Sequence, residues 1–306
     1  MFKNRLLICF VLLTCLFVCG CKQNADPNAN LKNDIQNNKN ESTNITLNDN
    51  SEKKPDPPVT IEDPKPSQEP ADKNYGDYDN TKYSWYIIRR NDHQPPGTGS
   101  KLSELSTKYR AVFLGDTSRK VVYLTFDEGY EYGFTPKILD ILKENNVKAA
   151  FFITMPYLNK HLDLVERMVN EGHIVGNHSV SHPSLPELSD EKVINEIEEL
   201  SVAFKSKTGQ NMKYFRPPMG EFSERTLAIS NDLGYRNIFW SSAYDDWDVN
   251  KQKGADYAYK MTMDNIHNGN MLLLHAVSKS NTEALDRIIR DLKSQGYSFG
   301  TLDEIN

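Results

Sequence analysis

Val121-Val122-Tyr123-Leu124-Thr125-Phe126-Asp127-Glu128-Gly129 is a compact apolar run that stops at two carboxylates. A run this short, apolar on both faces, reads as a strand buried in a parallel sheet, here over 121–126. A helical pattern follows over 136–144, with Pro136 suited to a first turn. The alternation then continues along the chain. Strands are expected at 149–155, 174–176, 214–216, 237–241, 271–274 and 298–302. Helices are expected at 162–170, 190–207, 224–232, 255–268 and 284–295, several closed by glycines such as Gly172, Gly209, Gly234 and Gly296. About seven β-α steps in so short a span predict an α/β fold, a distorted (β/α)7–8 barrel. A doubly wound open sheet is the alternative. No Gly-rich phosphate loop follows any strand, so a nucleotide-binding version lacks its main support.

The reactive residues fall at strand ends. Asp127 and Glu128 follow the first strand and His178 the third; Arg216 ends the fourth, Asp246 lies soon after the fifth, and His275 ends the sixth. In a parallel α/β barrel these ends share one face, where the chemistry sits. Each residue alone reads equally well as a helix cap or a loop polar group; the set is harder to dismiss. His178-Ser179-Val180-Ser181-His182 places two imidazoles four apart, which on a helical turn share a face. With a carboxylate from Asp127-Glu128 they would form a two-His, one-carboxylate site with an open position for water. Such N and O donors suit zinc or another divalent first-row ion, which lowers the pKa of its water and polarises a carbonyl.

The chain has 306 residues, with 36 Lys and Arg against 42 Asp and Glu, a net charge of −6 that offers no basic field for nucleic acid. Residues 22–74 contain no Phe, Tyr or Trp and carry Pro55, Pro57, Pro58, Pro64, Pro66 and Pro70. This segment reads as a disordered tether that stiffens toward its Pro-rich end. The four cysteines are Cys9, Cys15, Cys19 and Cys21. None is left for a disulfide, a thiol nucleophile or a Cys-ligated zinc in the folded region. Lys3 and Arg5 precede an apolar run over 6–18, too short for a comfortable membrane span, and residues 1–21 read as an export signal. Val18-Cys19-Gly20-Cys21 resembles a bacterial lipobox, with Cys21 as the lipidated residue; a plain secretory signal or an uncleaved anchor is the other reading. Residues 75–118, with Tyr83-Ser84-Trp85-Tyr86, read as an arm packing onto a main domain at 119–306.

Five segments occur in a fixed order: Thr125-Phe126-Asp127-Glu128-Gly129, His178-Ser179-Val180-Ser181-His182, Arg216-Pro217-Pro218-Met219-Gly220, Asp246-Trp247 and Leu272-Leu273-Leu274-His275. They resemble the motifs of the polysaccharide deacetylases, the NodB-homology or family 4 carbohydrate esterases, over about 121–306. Phe126-Asp127-Glu128-Gly129-Tyr130-Glu131, Arg216-Pro217-Pro218-Met219-Gly220-Glu221-Phe222-Ser223, Leu274-His275-Ala276-Val277-Ser278 and the aromatic arm are similar to the muramic-δ-lactam branch, N-acetylmuramic acid deacetylases of spore formers.

The resemblance implies the NodB-type barrel and a set of roles. Asp127 would be the general base, held by Arg216, and His275 the general acid, oriented by Asp246. Glu128, His178 and His182 would hold a divalent metal, zinc first. Trp247 and Leu273 would line the acetyl pocket, and a backbone N–H near Met219 would serve the oxyanion. Glu128 stands where the family has Asp, one methylene shorter, and the muramic branch often has Asn. Met219 stands where Tyr is usual, and Ala276 where Asp is common. The implied protein is an extracytoplasmic, lipid-anchored enzyme acting on peptidoglycan glycan strands, in the envelope of a forming spore, with no nucleic acid or nucleotide partner. Two other readings stay open: a deacetylase of N-acetylglucosamine in peptidoglycan or another polysaccharide, and a catalytically inactive glycan-binding lipoprotein, motivated by Glu128 alone. His93, His161, His173 and His267 have no comparable setting and receive no role.

Overall fold

A computed structural model describes residues 73–90 and 92–305. The expected export signal, Cys21 and nearly all of the expected tether lie outside the described residues. A short strand β1 (Tyr83–Ser84) and helix α1 (Ser100–Lys108) come first, then β2 (Val121–Glu128), α2 (Thr135–Glu144), β3 (Ala150–Ile153), α3 (Met155–Lys160) and α4 (Leu162–Asn170). The chain continues through β4 (Ile174–Asn177), α5 (Asp190–Thr208), β5 (Tyr214–Phe215), β6 (Glu221–Phe222), α6 (Glu224–Asp232) and β7 (Arg236–Asn237). It ends with α7 (Ala255–Asp264), β8 (Asn270–His275), α8 (Lys279–Ser294) and β9 (Ser298–Phe299).

Seven strands form one parallel sheet in the order β7-β5-β4-β3-β2-β8, with β9 also against β2. Strands are added one after another in a single direction, and β8 then lands on the free side of β2. A doubly wound sheet would instead reverse about its middle. The sheet therefore curls as a barrel does. Between the β7 and β8 sides it is joined by isolated bridges rather than a strand pair: Val112 to Ile238, Leu114 to Asn270, and Ser242 to Leu272, with the Leu273 N–H donating to the Ser242 carbonyl at 2.9 Å. The result is a distorted, partly open barrel.

Alternation along the strands sorts the side chains into two cores. Val121, Tyr123, Ala150, Phe152, Tyr214, Ile238 and Met271 pack together inside the curl. Val122, Leu124, Phe126, Phe151, Ile153, Val175, Phe215, Leu272 and Leu274 face the helices in the larger outer core. All eight residues of β2 are buried, as expected of a strand covered on both faces.

Departures from the expected boundaries have local causes. β3 stops at Ile153 because Thr154 takes the N-cap position and Pro156 sits in the first turn of α3. Helix α8 begins at Lys279 because the Ser278 hydroxyl caps it, accepting from the Asn281 N–H at 3.2 Å. β6 was not expected; it pairs antiparallel with β1 and joins the segment before β2 to the loop after β5. Trp85 reinforces that junction: it stacks on Phe239 with ring centroids 4.4 Å apart, and its indole N–H donates to the Trp240 carbonyl at 2.9 Å.

Gly176 shows how tight the interior is. It pairs in register with Phe152, and a Cβ there would lie 2.5 Å from the Phe152 ring. Gly176→Val is expected to destabilise the fold by about 1–3 kcal/mol through overpacking. Adding Phe152→Leu should recover part of that loss in chemical denaturation.

Candidate active site

The alternation that builds the inner core also delivers the reactive groups. Asp127 continues the inward series Val121, Tyr123, Thr125; Arg216 follows Tyr214, His178 follows Gly176, and His275 follows Met271 and Leu273. Asp127 and His275 are register partners on β2 and β8. All meet at the C-terminal mouth of the strands, beside a cleft of about 820 Å³ that Asp127, His178, His182, Met219, Leu273 and His275 help to line. Trp247 stands exposed on its rim, and Leu273 is buried in its floor.

Arg216 is fully buried and makes four hydrogen bonds. Nη1 donates to Asp127 Oδ1 at 2.7 Å and Nη2 to Thr125 Oγ1 at 2.8 Å; Nε donates to the Ile238 carbonyl at 3.1 Å and Nη2 to that of Phe239 at 3.4 Å. Its guanidinium lies over the Phe152 ring, 4.1 Å from the centroid. Burial alone would push the Asp127 carboxyl up. The Arg216 charge first, then the neighbouring imidazoles and the Arg216 hydrogen bond, outweigh burial and hold it below the usual carboxylate range. Asp127 is therefore an ionised, oriented base at neutral pH.

His178 donates through Nδ1 to the Arg216 carbonyl at 2.8 Å, which leaves the lone pair on Nε2. Burial pushes this imidazole down to about 4, so it stays neutral. Its Nε2 stands 3.5 Å from Asp127 Oδ2, and two acceptors so placed suit a donor such as water. His182 meets it edge-on, with ring centroids 4.8 Å apart. No helical turn brings the pair together, contrary to expectation. The chain leaves β4 in a tight turn with Ser179 at φ 70° and His182 at φ 60°, both left-handed. Asn177 Oδ1 accepts from the Ser179 N–H at 2.8 Å and Ser179 Oγ from the His182 N–H at 2.9 Å. Glu196 of α5 clamps Ser181 through its N–H at 2.8 Å and its hydroxyl at 2.6 Å. Backbone strain of this kind persists where surrounding bonds overdetermine it.

His275 is held from behind. Asp246 is buried, with Oδ1 2.7 Å from His275 Nδ1 and Oδ2 accepting the His275 N–H at 2.9 Å. Burial acts to lower the His275 pKa, but the Asp246 carboxylate and its hydrogen bond prevail and raise it above the ordinary value. Asn281 donates to the same carboxylate and accepts from the Tyr244 hydroxyl. Sequence reasoning missed Asn281, Tyr244 and Thr125. The Ser278 cap that places Asn281 on the first turn of α8 was the available signal.

Glu128 requires a correction. β2 runs through Glu128, so its side chain points opposite to that of Asp127, toward the helices. It is fully buried, with Thr135 Oγ1 at 3.2 and 3.4 Å from its two oxygens, and it is not part of the cleft lining. Among the described residues no group of three or more His, Cys, Asp or Glu is placed to hold a metal ion. The residues present do not fit the expected site of Glu128 with two imidazoles.

Burial, then the nearby Glu131 charge, raises the Glu128 pKa well above its ordinary value. A raised folded-state value means stability is fully present below the unfolded pKa and is lost as pH climbs toward the folded one. Each pH unit in that window costs about 1.4 kcal/mol. Glu128→Gln, neutral throughout, is expected to melt higher than the wild type by a margin that grows in calorimetry as pH rises above the ordinary glutamate value.

Comparison with known proteins agrees with this geometry. The polysaccharide deacetylase family model matches residues 114–238. A 30.6 kDa protein of Geobacillus stearothermophilus, named for its place in the fumA 3′ region, is 54% identical over 222 residues, 72% of this chain and 84% of that protein. The peptidoglycan-N-acetylmuramic acid deacetylase PdaA of Bacillus subtilis is 44% identical over 227 residues, 74% of this chain and 86% of its own. A peptidoglycan-N-acetylglucosamine deacetylase of Bacillus cereus is 35% identical over 236 residues, 74% and 84% respectively. The solved structure of B. subtilis PdaA, a family 4 carbohydrate esterase, superimposes with a TM-score of 0.73 and covers 74% of this chain and 97% of that one. The ordered motifs, the curled sheet and these relatives place the chain in the polysaccharide deacetylase family, the NodB-homology family 4 carbohydrate esterases, hydrolases of N-acetyl groups on polysaccharides.

Proposed function

We propose that the chain removes the acetyl group from N-acetylmuramic acid in peptidoglycan, preparing the strand for muramic-δ-lactam closure in spore cortex. The observation that carries the chemistry is the facing pair of Asp127, bonded to Arg216, and His275, bonded to Asp246, each at 2.7 Å. The substrate assignment rests on the motifs of the muramic branch and on the likeness to PdaA. The B. cereus relative supports a second reading, deacetylation of N-acetylglucosamine in the same polymer.

Amide hydrolysis needs an activated water, a stabilised oxyanion and a proton for the leaving amine. Asp127 takes the proton of the attacking water, and Arg216 keeps that carboxylate ionised and oriented. The neutral His178 and His182 orient the water. The backbone N–H of Met219, in a turn where Met219 has φ 57°, donates to the oxyanion as the carbonyl carbon becomes tetrahedral. His275 then gives its proton to the nitrogen as the C–N bond breaks, leaving acetate and a free amine. Trp247 and Leu273 border the acetyl group. Metal dependence occurs in this family. With Glu128 turned away, no step is assigned to a metal here.

In the cell, the Cys21 lipid and the Pro-rich spacer would hold the enzyme on the outer side of the membrane, within reach of the wall. Among the described residues no helix is long and apolar enough to cross a membrane.

Acetate release from glycan strands, scored separately for the two amino sugars, tests the proposal. Release from muramic residues supports it; release from glucosamine alone contradicts it. Asp127→Asn and His275→Ala should each lower turnover at least about a hundredfold with the fold intact by circular dichroism. The pH profile of kcat/KM should be bell-shaped, its acid limb set by Asp127 below the usual carboxylate range and its basic limb by His275 above the ordinary imidazole value. Asp246→Asn removes the charge that raises His275 and should move the basic limb to lower pH.

A further inference from the structure

The cleft wall contains a cation that the reaction does not use. Arg89 is the one Lys or Arg among the described residues that line the cleft. It comes from the segment before β2, and its backbone is pinned on both sides. Trp85 is buried against Phe239, and Ile88 and Gly97 exchange N–H···O bonds of 2.7 and 3.2 Å. The guanidinium donates through Nη2 to the Ala243 carbonyl and has no carboxylate partner among the described residues. Arg89 is thus held against the wall with most of its five donors uncommitted. The anionic groups of the cleft are Asp127, already bound to Arg216, and Asp245 on the same stretch as Ala243.

The rest of the cleft is what a neutral sugar polymer needs. Tyr130 and Trp247 are exposed on it and Trp240 lines it, offering apolar faces to sugar rings. A polymer of N-acetylglucosamine alone carries no anion for Arg89 to meet. N-acetylmuramic acid does: its lactyl ether ends in a carboxyl on the ring carbon next to the one that bears the acetamide. When the amide sits at Asp127 and His275, that carboxyl lies within one sugar of the reacting atoms, inside the same cleft. It is anionic when free and neutral when amidated to a stem peptide. A planar guanidinium fork is the side chain best matched to a carboxylate.

We infer that Arg89 is a specificity residue that binds the free lactyl carboxylate of the muramic substrate and so separates it from N-acetylglucosamine and from peptide-bearing strands. The inference rests on the muramic reading of the site. Arg89 lies outside the acid–base machinery, so its loss should weaken binding rather than chemistry.

The test compares full-length wild type, Arg89→Gln and Arg89→Lys on three probes: peptide-free peptidoglycan glycan strands, the same strands with their lactyl carboxyls converted to methylamides, and N-acetylglucosamine oligomers. Arg89→Gln should raise KM on the peptide-free strands about ten- to a hundredfold, as expected for loss of a charge-assisted hydrogen bond, with kcat within about twofold. Arg89→Lys should fall between. On methylamide strands and glucosamine oligomers, Arg89→Gln should match the wild type. Equal KM values for Arg89→Gln and wild type on the peptide-free strands overturn the role of Arg89 and leave the muramic reading standing. So does an equal loss on all three probes. A wild type that releases acetate from glucosamine but never from muramic residues overturns the muramic reading, and the role of Arg89 with it.

Discussion

The ion pair between Arg216 and Asp127, enclosed in the mouth of the curled sheet, is the contact on which the rest of the site depends. A buried guanidinium is tolerable only if its donors are satisfied, and here Asp127, Thr125 and two carbonyls satisfy them. Breaking such a pair by removing one partner costs about 3–5 kcal/mol, because the other charge is left uncompensated. The pair joins β2 to β5 and to the segment after β7, so it closes the part of the barrel where strands are shortest. It also fixes His178, whose Nδ1 proton goes to the carbonyl of the same arginine. Fold and catalytic geometry share one set of bonds.

The two catalytic groups are tuned in opposite directions by the same means. Asp127 is buried and His275 half-buried, and each is bound to an opposite charge: Asp127 to Arg216, His275 to Asp246. Burial works against ionisation in both, and the partner charge wins in both. The partner charges thereby favour the ionised base and the protonated acid, the two forms that amide hydrolysis requires.

Much of this was legible in the run from Val121 to Glu128. Its short apolar character marks a strand covered on both faces, and the spacing of later runs marks the barrel. Reading Asp127, Arg216, Asp246 and His275 as strand-end groups brought them to one face, where the structure has them. A strand that ends at Phe126 would leave Glu128 free to face the cleft, but β2 runs on through Glu128. Carried two residues further, strict alternation puts Glu128 on the helix side with Phe126 and Leu124. Its side chain therefore lies apart from the acid–base pair at the cleft. The His178–His182 turn was hidden because its shape comes from left-handed residues and from Glu196, fifteen positions away on α5. Asn281 and Arg89 were hidden for a similar reason: a side chain gains its role only when a distant segment folds beside it.

The charge state of Asp127 tests the account most directly. Titration of its side-chain carboxyl by carbon-13 NMR in the folded full-length protein should give a pKa below the ordinary carboxylate value, with the resonance moving upward in pKa when Arg216 is replaced by Met. An Asp127 that titrates at or above the ordinary value, with Arg216 in place, would contradict it.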